Sequence, residues 1–266
     1  MGKGDSQVKL NRIYNMDCFE GMGLIEPGSV GLVLTDPPYG TTSNNWDKLP
    51  DLDRLWIAIK SVLRTGGAAV MTSQTPFDKV LGASNLSWLK YEWIWKKTYI
   101  TGHLNAKKAP LRQHENVLVF SGASLDKMTY NPQGVIHKIA EHRINSSRPS
   151  SNYGSIPRRE YVADSTNYPR DVLEYGPDPI KLHPTQKPLE LMRYMVRTYS
   201  NPGDIVLDPF MGSGTTAVAC AMERRNFIGF ELDENYFNSA NKRLQDLTGP
   251  FKLYGDIGQP GKKEEN

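Results

Sequence analysis

Residues 30–40, VGLVLTDPPYG, read as a short strand followed by an abrupt stop. The apolar run from Val30 to Leu34 is too short for a helix and is rich in valine and leucine, so a buried strand is expected. Pro37 and Pro38 then end any sheet ladder, because neither has an N–H to donate. The turn that results is stiff, and it holds Asp36 and Tyr39 at the carboxyl end of the strand. Open α/β sheets place their ligand sites at that edge.

The surrounding sequence supplies the other members of such a sheet. Upstream, residues 11–18 alternate and end at Asp17, with a helix expected over 19–25 before Pro27-Gly28. Downstream, Asp51 caps a helical pattern of Leu52, Leu55, Trp56, Ile59, Val62 and Leu63 that Gly66-Gly67 would stop. Strands are expected at 68–72, 91–96 and 115–120, with a helix around 77–83. After residue 183 the alternation resumes. HPTQKP (183–188) leads into a helix with Leu189, Met192, Met195 and Val196 on one face. A strand, a glycine turn and a helix follow over 204–225, then a strand ending at Glu231 and a helix over 234–247. Strands alternating with helices predict an α/β fold around a mostly parallel, doubly wound sheet.

Residues 121–182 differ in kind. They are rich in Ser, Asn, Pro, Arg and Tyr and show no long helical pattern. A structureless loop of that length is improbable in a compact domain, so an inserted, ligand-facing region is expected there. The tail GQPGKKEEN (258–266) is expected to be disordered.

Composition bounds the function. At 266 residues, 38% hydrophobic and 23% charged, the chain has the balance of a globular protein. No apolar run reaches the ~20 residues of a membrane span, and the N-terminus lacks a signal-peptide core, so a cytoplasmic location is expected. Cys18 and Cys220 are the two cysteines, and they form no Cys-x-x-Cys pair. The histidines His114, His137 and His142 are poorly spaced as ligands, so no metal site is expected. The net charge of +3 says little, but its distribution says more. Lys96, Lys97, Lys107, Lys108 and Arg112 crowd one region, and Arg143, Arg148, Arg158, Arg159 and Arg170 the next. Trp88, Tyr91, Trp93, Trp95, Tyr99, Tyr130, Tyr153, Tyr161 and Tyr168 interleave them, a mixture suited to phosphate contact and base stacking. A solvated loop surface over core aromatics has the same composition.

The second constellation is DPFMGSGTT (208–216), with Glu231 about 20 residues beyond the turn. Its glycines let backbone approach a ligand, and an acid at that distance suits ribose hydroxyls. Gly212, Gly214 and Ala217 also satisfy the loose dinucleotide pattern, so a nicotinamide-dependent dehydrogenase is a rival reading. Asp208 argues against it, because a carboxylate at the turn repels a pyrophosphate and welcomes an ammonium.

TDPPYG followed much later by DPFMGSGTT, with HPTQKP just before the second motif, resembles the β group of amino-group DNA methyltransferases. The resemblance covers Asn11 to Leu247 and is least detailed in the middle. It implies a Rossmann-like class I methyltransferase fold, circularly permuted, with a target recognition region inserted between the motifs. Residues 1–120 would carry the catalytic half, 121–182 the target recognition insertion, 183–250 the cofactor half and 251–266 a tail. It implies S-adenosylmethionine as cofactor and double-stranded DNA as partner. Relatives are commonly homodimers, and a homodimer and a cognate restriction endonuclease are among the partners that the resemblance allows. Asp36, Pro37, Pro38 and Tyr39 would be catalytic, with Tyr39 stacking on an everted base. Phe210, Gly212, Ser213, Gly214 and Thr215 would line the cofactor, with Asp208 at its amino-acid end and Glu231 on its ribose. Asp17 would approach the adenine, and Thr185 and Lys187 the methionine carboxylate. Trp46 and Lys48 would cover the target base, while Lys107, Lys108, Arg112, Arg143, Arg148, Arg158 and Arg159 would contact DNA. Aspartate at the first motif position points to adenine N6, since the N4-cytosine enzymes more often carry serine there. N4-cytosine is the runner-up. Carbon-5 chemistry is disfavoured, because it needs a cysteine after proline. A non-catalytic DNA-binding protein with a decayed cofactor site is a third possibility.

Overall fold

The computed structural model describes residues 8–40, 47–144, 160–179 and 186–248. Trp46, Arg148, Arg158, Arg159, Thr185 and the tail 251–266 lie outside the described residues. In chain order the elements are β1 (Arg12–Asn15), α1 (Cys18–Met22), β2 (Val30–Thr35), α2 (Leu52–Val62), β3 (Leu63–Ser73) and α3 (Phe77–Ser84). Next come β4 (Leu89–Thr101), β5 (Arg112–Phe120), β6 (Ile136–Ile144), β7 (Glu160–Thr166) and β8 (Val172–Tyr175). The last are α4 (Leu189–Tyr199), β9 (Ile205–Asp208), α5 (Thr215–Met222), β10 (Asn226–Glu231) and α6 (Glu234–Thr248).

Eight strands form one sheet in the order β1-β10-β9-β2-β3-β5-β4-β8. Pairing is parallel from β1 through β3 and again between β4 and β8, while β5 runs antiparallel to both its neighbours. The mostly parallel sheet expected from the alternation is therefore present. Its central strands β2, β9 and β10 are apolar runs because both faces are covered. In β3, Ala68 and Val70 join one core with α4 and α5, and Ala69 and Met71 join the other with α1, α2 and α3. In β5, Val117 and Val119 face the first core, and Leu118 and Phe120 the second. One residue of slip along either strand would exchange the two cores.

Adjacent strands β2 and β9 come from opposite ends of the chain, with Val33 level with Leu207. From β2 the chain proceeds outward to β3, and from β9 it proceeds the other way to β10. The topological switch point thus lies between the two motif-bearing strands, where doubly wound sheets open a crevice.

Local capping follows the expected chemistry. Asp51 caps α2 through Arg54 N at 3.0 Å, and Asp17 caps α1 through Phe19 N at 2.9 Å. The expectation that Gly66-Gly67 stops α2 is corrected: the helix ends at Val62 and both glycines lie inside β3. Their role is close approach. A Cβ on Gly67 would stand 2.9 Å from the Gly31 carbonyl oxygen, and one on Gly66 2.8 Å from that of Lys127.

Two compact units are present, residues 1–131 with 171–266, and residues 132–170. The separate unit is narrower than the 121–182 span expected from composition. Residues on its amino side pack with the sheet, where Met128 is buried and Thr129 N donates to the Gly66 carbonyl. On its carboxyl side β8 extends the main sheet. The unit itself contains the antiparallel pair β6–β7, whose β6 residues are all exposed. Among the described residues no helix is long and apolar enough to cross a membrane.

Candidate active site

The first unit holds a cavity of about 830 Å³ at the carboxyl ends of β2 and β9. Asp36, Pro37, Pro38 and Tyr39 line it from one side, and Asp208, Phe210, Gly212, Ser213, Thr215 and Glu231 from the other. Asp17, Lys48 and Lys187 line it too, whereas Gly214 does not. Motifs some 170 residues apart in sequence therefore open onto one space. A direct bond ties them: the Thr35 hydroxyl donates to Asp208 Oδ1 at 2.6 Å.

The acidic corner is densely wired. Asp36 Oδ1 accepts the Tyr39 hydroxyl at 2.6 Å and also the hydroxyl of Thr72, which lies near the end of β3. Lys187 Nζ donates to Asp36 Oδ2 at 2.6 Å. The same ammonium lies 3.5 Å from Glu115 Oε2, and Lys97 Nζ lies 2.5 Å from Glu115 Oε1. Lys187, Glu115 and Lys97 are all buried. Burial pulls the Lys187 ammonium toward the neutral form, but Asp36 and Glu115 outweigh it and leave its pKa above the ordinary lysine value. Burial first and the Asp36 charge second push the Tyr39 phenol well above its usual range. Phe77 stacks on the Tyr39 ring with centroids 5.2 Å apart, and the backbone N–H groups of Tyr39 and Gly40 both donate to Asp47 at 2.8 Å.

The glycine corner has different chemistry. Gly212 has a positive φ of 53°, and a Cβ there would meet nothing within 4 Å, so its backbone is open to an incoming group. Its N–H donates to Glu231 Oε2 at 2.7 Å, and Asp233 N donates to Oε1 at 2.8 Å. An ionised carboxylate has about four lone-pair sites, so roughly two remain for hydroxyls. Burial raises the Glu231 pKa. Asp208 is more enclosed: it accepts Thr35 and Phe210 N, and burial lifts its pKa to about 6. Thr215 accepts a hydrogen bond from Arg243 at 2.8 Å.

The Asp208 environment gives a signed prediction. Its folded pKa lies above its unfolded value, so the folded state binds the extra proton between roughly pH 4 and 6. Stability from this group is complete below pH 4 and is lost as pH rises through 6. Asp208→Asn should remove that slope and raise stability at pH 7 by about 1–3 kcal/mol, read from urea unfolding at pH 4.5 and 7. An unchanged slope would contradict it.

The expected site residues also make bonds of their own. Lys187 lines the cavity and is bonded to Asp36. Asp17 lines the cavity, yet its Oδ1 is engaged as the α1 cap. The basic, aromatic middle separates into unlike parts. Lys97 is buried against Glu115, Lys96 pairs with Glu174, and Trp93 and Trp95 are buried. Trp93 Nε1 donates to the Tyr199 hydroxyl at 2.5 Å, so its indole is core and no stacking platform. Lys107, Lys108 and Arg112 are exposed between and at the start of β4 and β5, and Arg143 is exposed beside Glu141 at 2.7 Å. Glu115 and Thr72 escaped the sequence reading, and Lys97 was read there only as a member of the basic region. A carboxylate opening the apolar run ENVLVF was the available signal for Glu115, since a buried strand start needs a reason to carry charge.

The cavity suits S-adenosylmethionine in charge and form. A wall carrying Asp17, Glu231 and Asp233 attracts a cationic ligand and repels a pyrophosphate, and the volume falls in the usual ligand range of about 300–1,000 Å³. The open backbone at Gly212 gives a flat group room to approach.

Comparison with known proteins agrees with this geometry. The family described as DNA methylase, of N6 and N4 type, matches residues 30–242. Type II methyltransferase M1.MboII of Moraxella bovis is 29% identical over 263 residues, covering 90% of this chain and 98% of its own length. DNA adenine methyltransferase YhdJ of Escherichia coli K12 is 29% identical over 249 residues, covering 87% of this chain and 82% of its own. Among solved structures, the M1.HpyAVI–SAM complex aligns with a TM-score of 0.58 at 26% identity, over 87% of this chain and 98% of that one. PvuII DNA methyltransferase, cytosine-N4-specific, shares the fold with a TM-score of 0.63 at 16% identity, over 88% of this chain and 86% of that one. With both motifs on one cavity and the match running from the first motif past the second, this chain belongs to the N6/N4 DNA methylase family.

Proposed function

We propose that this protein methylates the N6 amino group of adenine in double-stranded DNA, with S-adenosylmethionine as methyl donor. The observation that carries the reading is the single cavity shared by Asp36-Pro37-Pro38-Tyr39 and Phe210–Glu231, tied by the Thr35–Asp208 bond. When bound, the cofactor supplies an electrophilic methyl group and leaves as a neutral thioether. Phe210, Gly212, Ser213 and Glu231 bind it, with Glu231 using its remaining lone pairs on the ribose. Asp208 shapes the turn from beneath.

An exocyclic amino group is a weak nucleophile, because its lone pair is delocalised into the ring. Asp36 and the Pro37 carbonyl each accept one N–H, which turns the lone pair toward the methyl. The nitrogen forms the new N–C bond with that pair and, now cationic, releases one proton to Asp36 or solvent. Fixed acceptors facing developing positive charge need no reorganisation at the moment of reaction. Pro37 and Pro38 keep them fixed. The amino group is out of reach inside a duplex, so the base must be rotated out, and Tyr39 is the ring against which it stacks. Lys48, Lys107, Lys108, Arg112 and Arg143 are exposed and suit phosphate contact.

Adenine is favoured over cytosine by Asp36 at the first motif position and by the similarity to a relative named as an adenine methyltransferase. Nucleoside mass spectrometry of unmodified DNA, treated with the protein and cofactor, tests it. N6-methyladenine is expected, and mapping the modified positions gives the site. N4-methylcytosine would move the chain to the sister activity, and no methylation of either base would reject both.

A further inference from the structure

The wiring of Asp36 leaves little room for the target amino group. Its Oδ1 already accepts two hydroxyls, from Tyr39 and Thr72. Its Oδ2 is occupied by the Lys187 ammonium at 2.6 Å. Of about four carboxylate lone-pair sites one remains, on Oδ2, and an incoming amino group must share that oxygen with the ammonium. Lys187 has a side chain only 7% exposed, so the charge needs a second anion to move to.

That anion is present. Glu115 Oε2 is buried and has no hydrogen-bond partner among the described residues. The Lys187 ammonium lies 3.5 Å from it, and charge-assisted N–H···O bonds close at about 2.7–2.9 Å. A movement of roughly an ångström or less would complete the bond. Glu115 Oε1 is held by Lys97 at 2.5 Å, which fixes the carboxylate in place. Asp36, Lys187, Glu115 and Lys97 carry two charges of each sign, so the shift leaves the local charge unchanged. A shift of about 0.8 Å takes the ammonium to at most about 3.4 Å from Asp36 Oδ2, which loosens its hydrogen bond there as positive charge begins to grow on the target nitrogen.

We propose that Lys187 has two seats, Asp36 without the target base and Glu115 with it, and that Glu115 is a positioning residue for methyl transfer. The inference rests on the amino-methylation reading above. In it the buried lysine quenches Asp36 at rest and gives way to the substrate amino group. Glu115 acts only through Lys187.

The test uses the full-length protein with S-adenosylhomocysteine and a short duplex carrying the mapped site. Protein labelled with ¹⁵N at lysine Nζ should give a slowly exchanging signal for the buried ammonium, assigned by its loss in Lys187→Arg. In the wild type this signal should shift when the duplex is added, and in Glu115→Gln it should stay where it is. Single-turnover methyl transfer by Glu115→Gln should fall by roughly 10- to 100-fold, with cofactor and DNA dissociation constants within about twofold of wild type. Glu115→Asp should restore part of the rate. A Lys187 signal indifferent to DNA in a wild type that methylates would overturn the two-seat arrangement. So would a Glu115→Gln protein that reacts at the wild-type rate. If Glu115→Gln fails to fold, the wild-type spectrum alone decides. A wild type that methylates neither base rejects the underlying reading instead, and that control is read first.

Discussion

Asp36→Ala should lower methyl transfer by about 10²–10³-fold while leaving S-adenosylmethionine affinity within about twofold. The size follows from what the side chain does. It contributes one of the two acceptors that orient the target amino group, and its charge faces a nitrogen that becomes cationic. Cofactor binding is spared because Gly212 and Glu231 form a separate corner, joined to each other by the 2.7 Å bond from Gly212 N to Glu231. The substitution also strips Lys187 of its closer anion, leaving Glu115 at 3.5 Å. Asp36→Asn separates the two effects: it keeps an acceptor but loses the charge, and its rate should lie between alanine and wild type. Single-turnover rates with equilibrium dialysis for the cofactor give both quantities. An Asp36→Ala protein with normal methyl transfer would remove the mechanism proposed for this site.

The second large effect is on stability. Gly214 has a φ of +78°, and a Cβ there would lie 2.9 Å from Ala240 Cβ and 3.2 Å from Ala240 Cα. Gly214→Ala therefore meets two penalties, about 1–2 kcal/mol for a left-handed backbone and about 1–3 kcal/mol for overpacking against α6. A loss of ~2–5 kcal/mol is expected, or on the order of 4–20 °C in Tm for a domain of this size. Gly203 is the control: its φ is +87° but a Cβ would meet nothing within 4 Å. Gly203→Ala should cost only the backbone part. Equal losses in the two variants would show that the contact with Ala240 is accommodated by movement of α6. Gly214 is thus a packing glycine, while Gly212, with open space around it, is the one free to face a ligand.

Sequence patterning was sufficient for the central strands, because β2, β9 and β10 and most of β3 and β5 are buried on both faces and that leaves a continuous run of letters. Leu32 to Leu34 and Val206-Leu207 could be placed as buried strands without coordinates. The two turns were legible for a similar reason: prolines and glycines constrain the backbone locally, whatever lies across the chain. The helix end at Val62 was not legible, since Gly66 and Gly67 answer to Gly31 and Lys127, which the local sequence does not reveal. Nor was the division of the basic stretch. Lys96, Lys97, Lys107 and Lys108 have the same letter, but only the fold buries Lys97 beside Glu115, pairs Lys96 with Glu174 and leaves Lys107 and Lys108 in water. The Asp36–Lys187–Glu115 arrangement likewise joins β2, β5 and the lead-in to α4, three segments that no local pattern relates. Backbone geometry and burial are written residue by residue, so the chain by itself determined the sheet and its two corners. Charge pairing depends on which distant groups share a low-dielectric space, and that only the tertiary structure decided.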